Sequence, residues 1–269
     1  MRIAACIVLF HPDPKDLERD IRAIAPYLDT LILWRNSGEE TSLPQDISCP
    51  VVYMGDGTNQ YIAHALNESL AYCAEFGFDC LLTMDQDSEF EDFGAFLEQT
   101  ESLRRDPAYA DAIIFAPNVN RRYGTEEKVL PVESTITSGS LCDVRKCLAI
   151  GGFRESYRIY WVDSEFCHRA ALAGYRILAL PGHNLRQQFG KITKKHGIDC
   201  YNYSAKTYYF MFRNMLWMHR EYKSNPSTKC VLYTTQMYLK SILAGENGKW
   251  EKLKAVCRGI RHGLTRDYR

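Results

Sequence analysis

Two acidic clusters carry residue types that can do chemistry. In "LLTMDQDSEF" (81–90) an apolar run ends at Met84 and gives way to Asp85, Asp87 and Glu89. A spacing of two puts the Asp85 and Asp87 carboxylates on one side of an extended chain. Held close, they repel, and a divalent cation offsets that cost. Hard oxygen ligands select Mg²⁺ or Mn²⁺. With only one or two protein carboxylates, Mg²⁺ completes its shell with water and substrate phosphates. The pair is therefore a candidate for a metal that in turn holds a diphosphate, although a solvated loop after a strand accounts for the same letters. In "IYWVDSEFCHRA" (159–170), Asp163 and Glu165 fall in the first turn of an expected helix. The helix dipole favours acids there. The chemical alternative is a general base, a carboxylate at a cleft wall within reach of a hydroxyl.

The surrounding elements must place these acids. "IAACIVLF" is a continuous apolar run rich in β-branched residues, as expected of a strand buried on both faces. "KDLERDIRAIAPYL" has Leu17, Ile21, Ile24 and Leu28 at helical spacing. "TLILW" and "VVYM" read as strands closed by the turn segments "RNSGEE" and "GDGTN". "YIAHALNESLAYCAEFG" reads as a helix ending at Gly77, and "CLLTM" as a fourth strand. This alternation predicts an α/β fold, a mostly parallel sheet flanked by helices, with ligands bound beyond the carboxyl ends of the strands. Further on, "AIIFAP" and "RILAL" read as strands, "RRYGTEEKVLPVES" as a polar connection and "TSGSLCDVRKCLAIGGF" as small residues turning helical. "YSAKTYYFMFRNMLWMHREY" reads as a long aromatic helix in which Arg213 and Asn214 need partners if buried. "SNPS" breaks the chain at 224–227, and a domain at 1–228 with a helical extension at 229–269 follows.

The chain has 269 residues and a formal charge of zero, unevenly spread. Residues 229–269 hold nine Lys or Arg against three Asp or Glu, leaving 24 basic and 30 acidic before them. An acidic body without a nucleic-acid module argues against nucleic acid. In the tail, Trp250, Leu253, Val256, Cys257, Ile260 and Leu264 recur at helical spacing among Lys and Arg, a pattern that suits a helix on an anionic membrane surface or one packed on the domain. Ten cysteines without Cys-x-x-Cys pairs read as free thiols of a reducing cytosol. His183 and His196 lack zinc spacing. No signal peptide or spanning run is visible, so a cytoplasmic protein, peripheral to the inner face of the membrane through its tail, is expected.

In order, "IVLFHPD", "NQYIAHALN", "LLTMDQDSEF", "TSGSL", "WVDSEFCHRA", "HNL" at 183–185, and His196 followed by "YYFMFRN" resemble the family 2 glycosyltransferases, and within them the bacterial rhamnosyltransferase-like members. The resemblance implies a Rossmann-like GT-A fold and inverting transfer of a sugar from a nucleotide-diphosphate donor, dTDP- or UDP-linked, to a cell-surface glycan or lipid-linked acceptor. It implies a metal site at Asp85 and Asp87, with His183 as a further metal or phosphate contact, and Asp163 as the catalytic base. The implied donor side is Arg35, Asn36, Asp56, Asn59, Asp85 and Gln86. The implied acceptor side is Thr137, Ser138, Gly139, Trp161 and Glu165. Three positions depart from the family pattern. Arg35 stands where an acid usually ends the second strand, Tyr61 where Gly is frequent, and Val162 where the first acid of a Glu-Asp pair stands. These departures keep open a binding module for nucleotide sugars or glycans that has lost catalysis.

Overall fold

A computed structural model describes residues 1–39, 46–124, 128–187, 190, 192–223 and 225–265. Glu40 of the turn after the second strand, part of the 121–134 connection, Ser224, and Arg266, Asp267 and Arg269 of the tail lie outside the described residues. Packing divides the chain into two compact units, Met1–Arg154 with Phe166–Gln188, and Glu155–Glu165 with Phe189–Arg269.

The first unit holds a nine-stranded sheet. β1 (Ile3–Leu9), β2 (Thr30–Arg35), β3 (Val51–Met54) and β4 (Cys80–Asp85) are mutually parallel, in the order β3-β2-β1-β4. β1 and β4 are buried almost throughout because helices cover both faces. Ile3, Ala5, Ile7 and Leu9 share one core cluster with α1 (Pro14–Ile24). On the other face the Cys6 thiol hydrogen-bonds Ser69 of α2 (Tyr61–Glu75), and burial pushes it up to about 12. The start of α1 is set by Asp13, whose carboxylate accepts from the Lys15 and Asp16 amides, with Pro14 at the first helical position.

Beyond β4 come β5 (Ser88–Phe90), α3 (Phe93–Arg105), β6 (Ala112–Val119), β7 (Leu130–Val132), β8 (Ser140–Asp143), α4 (Val144–Ala149), α5 (Val162–Leu172) and β9 (Arg176–Gln187). The sheet continues β4-β8-β6-β9-β5, with β7 also on β9, and β8 is antiparallel to both its neighbours. β8 was not expected: "SLCD" is too short to read as a strand, and its neighbours β4 and β6, distant in sequence, make it one. β9 runs seven residues beyond "RILAL", because Leu185 to Gln187 pair with β5.

The second unit has the hairpin β10 (Thr193–Lys195) and β11 (Ile198–Cys200), then α6 (Ala205–Glu221), α7 (Thr228–Gly245) and α8 (Lys249–Thr265). α8 crosses α6 closely. A Cβ on Gly259 would lie 2.6 Å from the Tyr209 carbonyl oxygen, and one on Gly263 would lie 2.7 Å from Leu216 Cβ. This crossing draws α6 into the unit of the tail, so the boundary expected at 228–229 does not coincide with the division. Val256 is buried, and Leu253 and Ile260 pack on the cluster of Tyr208, Met211, Phe212 and Met215. That part of the tail's apolar stripe therefore faces protein, whereas Trp250 and Leu264 remain exposed.

Candidate active site

Asp85 is the last residue of β4, beside Val8 of β1, and Gln86 and Asp87 form the tight turn into β5. A closed ring of hydrogen bonds fixes this turn. The Asp85 amide donates to Ser138 Oγ at 3.0 Å, and Ser138 Oγ donates to Ser88 Oγ at 2.7 Å. Ser88 Oγ donates to Gln187 Oε1 at 2.9 Å, and Gln187 Nε2 donates to Asp85 Oδ2 at 2.8 Å. Ser88 and Ser138 are fully buried. The ring thus orients one carboxylate oxygen of Asp85 through two buried serines and the half-buried Gln187. Asp87 is solvent-exposed at the turn, yet the protein packed around it pushes its carboxyl above the ordinary value, outweighing a backbone hydrogen bond that lowers it.

The donor set is two hard carboxylates in one turn. Among the described residues no three His, Cys, Asp or Glu side chains form a metal-holding group. By its chemistry, a pair of carboxylates suits a cation that would take its remaining ligands from water and phosphate. The arrangement does not gather His183 as a third protein ligand. His183 Nε2 meets Gln99 Oε1 on α3 at 2.7 Å, and its ring packs edge-on to Phe96.

The other donor-side candidates lie at the ends of the parallel strands. Arg35 ends β2 and its guanidinium donates to the Gly55 carbonyl at 3.0 Å, joining the turns after β2 and β3. Asn36 is buried; its Oδ1 accepts the Gln60 amide at 2.7 Å and its amide reaches Asn59 Oδ1 at 3.4 Å. The exposed Asp56 carboxylate accepts from the Thr58 hydroxyl and amide, which hold it below its ordinary value. Gln86 makes a two-way bond with Phe10, accepting from its amide at 2.7 Å and donating to its carbonyl at 2.9 Å. It staples the end of β1 to the carboxylate turn.

Of the acceptor-side candidates, Thr137, Ser138 and Gly139 form the turn into β8. Gly139 has φ +76° and its amide donates to Thr83 O at 2.7 Å; a Cβ there would lie 2.8 Å from Leu185 and Pro117. In the second unit, Arg158, Tyr160 and Trp161 all adopt left-handed φ values just before α5. Trp161, Tyr160 and Ser164 line a cavity of about 230 Å³ with Tyr203, Met211 and Tyr238. Asp163 is half-buried, accepts the Ser164 amide at 2.8 Å, and is pushed above its ordinary value because burial outweighs that bond. Glu165 is 0% exposed and accepts the Tyr222 hydroxyl at 2.8 Å. It is a buried anchor of the helix start, not a surface that an acceptor can touch.

Sequence reading alone missed Gln187 and Ser88. Their signal is weak, since a Gln eleven residues past the start of an unrecognised long strand carries no spacing to Asp85.

A sheet with four parallel strands, a carboxylate turn at the end of β4 and a mixed second half is the GT-A architecture. GalNAc-T7, solved with UDP, GalNAc and Mn²⁺, matches with a TM-score of 0.61 at 11% identity, over 98% of this chain and 56% of that one. The chain thus spans just over half the length of that structure. S. aureus TarS 1-349 in complex with UDP-GlcNAc matches with a TM-score of 0.54 at 10% identity, over 97% of this chain and 81% of that one. In sequence, the chain is 24% identical over 237 residues to the dTDP-rhamnosyl transferase RfbF of Shigella flexneri, covering 81% of this chain and 80% of that protein. No protein-family model matches. The chain thus shares the GT-A fold with these structures and is similar in sequence to this rhamnosyl transferase.

Proposed function

We propose that the chain transfers a sugar, rhamnose in the leading case, from a nucleotide-diphosphate donor to a hydroxyl of a cell-surface glycan or lipid-linked acceptor, with inversion. The observation that carries this reading is the carboxylate turn locked by Ser138, Ser88 and Gln187 at the end of β4, on a chain related in sequence to a dTDP-rhamnosyl transferase. Asp85 and Asp87 would hold Mg²⁺ or Mn²⁺, which would supply charge neutralisation for the departing diphosphate. Gln187 keeps the Asp85 carboxylate in one orientation. Asp163 takes the acceptor proton as the hydroxyl attacks the anomeric carbon. Its raised affinity for protons brings a carboxylate closer to the strength such a base needs. Asn36, Asp56 and Asn59 meet the nucleoside at the ends of β2 and β3. The test is turnover of dTDP-rhamnose, with UDP-GlcNAc as control. Asp163→Asn is expected to keep donor binding and lose at least tenfold in kcat, whereas a wild type that binds donor and never turns it over favours a binding module.

The peripheral membrane contact belongs on this reading to the outer face of α7 and the start of α8. Leu232, Tyr233 and Leu243 are exposed there, with Lys229 and Lys240 along the same helix and Trp250 at 79% exposure beside Lys249. Exposed apolar side chains among lysines suit an anionic lipid surface at the cytoplasmic face. Among the described residues no helix is long and apolar enough to cross a membrane. Flotation with phosphatidylglycerol vesicles checks this: Leu232→Ser with Trp250→Ser is expected to abolish binding, and unchanged flotation contradicts it.

A further inference from the structure

α6 carries two polar residues in its most apolar stretch. Arg213 is 7% exposed and Asn214 0%. A buried guanidinium and a buried amide are tolerated only when their hydrogen-bonding groups are satisfied. Here the partners lie on one short segment. Asn214 Nδ2 donates to the carbonyls of Tyr157 at 2.8 Å, Ile159 at 2.9 Å and Tyr160 at 2.8 Å. Arg213 Nη2 donates to the carbonyls of Ser156 at 2.7 Å and Tyr157 at 3.2 Å. Arg213 Nε donates to Asn214 Oδ1 at 2.8 Å, which fixes the amide so that its nitrogen faces the segment. The guanidinium lies over the Trp217 ring at 4.0 Å, so its own position is set by packing.

The clamped segment is strained. Arg158, Tyr160 and Trp161 have φ of 63°, 62° and 64°, a region that costs residues with a Cβ and persists only where the surroundings over-determine it. The strain leads directly into chemistry-bearing residues. The Trp161 carbonyl accepts the Glu165 amide at 2.9 Å, so the last strained residue opens α5, and Asp163 follows two residues on. Tyr160 and Trp161 also form the wall of the 230 Å³ cavity that Ser164 borders.

We propose that Arg213 and Asn214 are positioning residues that hold Tyr157–Trp161, with its left-handed Arg158, Tyr160 and Trp161, in place and thereby aim the Asp163 carboxylate and the aromatic cavity wall at the acceptor hydroxyl. This rests on Asp163 being the base. Neither residue touches substrate; both act through the segment.

The experiment uses the full chain with Mn²⁺ and dTDP-rhamnose, water serving as the acceptor, and compares Asn214→Ala and the milder Arg213→Lys with wild type. Hydrogen exchange of amides 157–165 is expected to accelerate at least tenfold in Asn214→Ala, with the sheet unchanged. The kcat for donor hydrolysis is expected to fall at least tenfold while the donor KM stays within twofold. Combining Asn214→Ala with Asp163→Asn should add less than a further twofold loss, because the clamp works through Asp163. Arg213→Lys should show the same pattern more weakly, which covers an Asn214→Ala chain that fails to fold. Unchanged exchange in the folded variants overturns the clamp. Losses that multiply in the double variant, or a KM that rises with the fall in kcat, overturn its role in positioning the base. Unaltered hydrolysis in Asp163→Asn, or a wild type that never turns over, overturns the reading of Asp163 on which the proposal rests, and the exchange data still report separately whether the clamp exists.

Discussion

Asp163 and Asp87 are both carboxyls whose surroundings favour the protonated form. A base must be ionised to accept a proton, so kcat is expected to rise with pH through a limb lying above the ordinary carboxylate range of about 4. An acidic limb at the ordinary value, in a pH–rate profile at saturating donor, contradicts the assignment. Metal affinity should weaken on acidification for the same reason at Asp87, since only the carboxylate ligates. Tyr61 belongs at this scale too. It stands where the resemblance to the family 2 glycosyltransferases leads one to expect glycine, and the structure gives it φ +66°. The sequence position was legible as odd; the backbone conformation explains why glycine suits it. Tyr61→Gly is expected to leave stability within about 1 kcal/mol of wild type, because relieved strain offsets lost chain rigidity, whereas Tyr61→Val should cost about 1–3 kcal/mol in denaturant unfolding. Gln187 was not legible at all. Its role depends on β9 running on to pair with β5, and nothing local in "RQQ" announces that pairing.

Among elements, the strands with continuous apolar runs were legible because burial on both faces leaves no polar letters in them. β5, β8 and the β10–β11 hairpin were not, being three or four residues each and made into strands by distant partners. The tail shows the limit of periodicity. Its helical spacing was right, but spacing cannot say whether a stripe meets lipid or another helix; the close approach at Gly259 and Gly263 decides for α6. Gly259→Ala must push its Cβ against the Tyr209 carbonyl, and thermal unfolding should show a loss of about 1–3 kcal/mol. α1 supplies a pH test of the first unit. Asp20 is buried, with one carboxylate oxygen lacking a hydrogen-bond partner, and burial raises it to about 7 despite Arg19 beside it. The folded state then binds a proton that the unfolded state has released between about pH 4 and 7, so Asp20 costs stability as pH rises through that window. Asp20→Asn is expected to stabilise the chain at pH 8 relative to wild type more than at pH 5; a difference independent of pH contradicts this.

At the scale of the molecule, the candidate residues are divided between the two units. The first carries the Asp85–Asp87 turn and the ends of the parallel strands, the second Asp163 and an aromatic cavity. The fold was legible from the alternation of strands and helices, and the position of the Asp85–Asp87 turn at the end of β4 from two carboxylates after a buried strand. The sugar, by contrast, depends on loops that the fold does not dictate. The central claim is that the Asp85–Asp87 turn binds a nucleoside diphosphate through a divalent cation. Calorimetric titration with dTDP and with UDP, each with and without Mn²⁺, measures it most directly, using wild type and Asp87→Asn. The account predicts Mn²⁺-dependent binding, tighter for dTDP, that weakens at least tenfold in Asp87→Asn. Binding that is indifferent to Mn²⁺ and to Asp87, or no binding by a folded wild type, would contradict it.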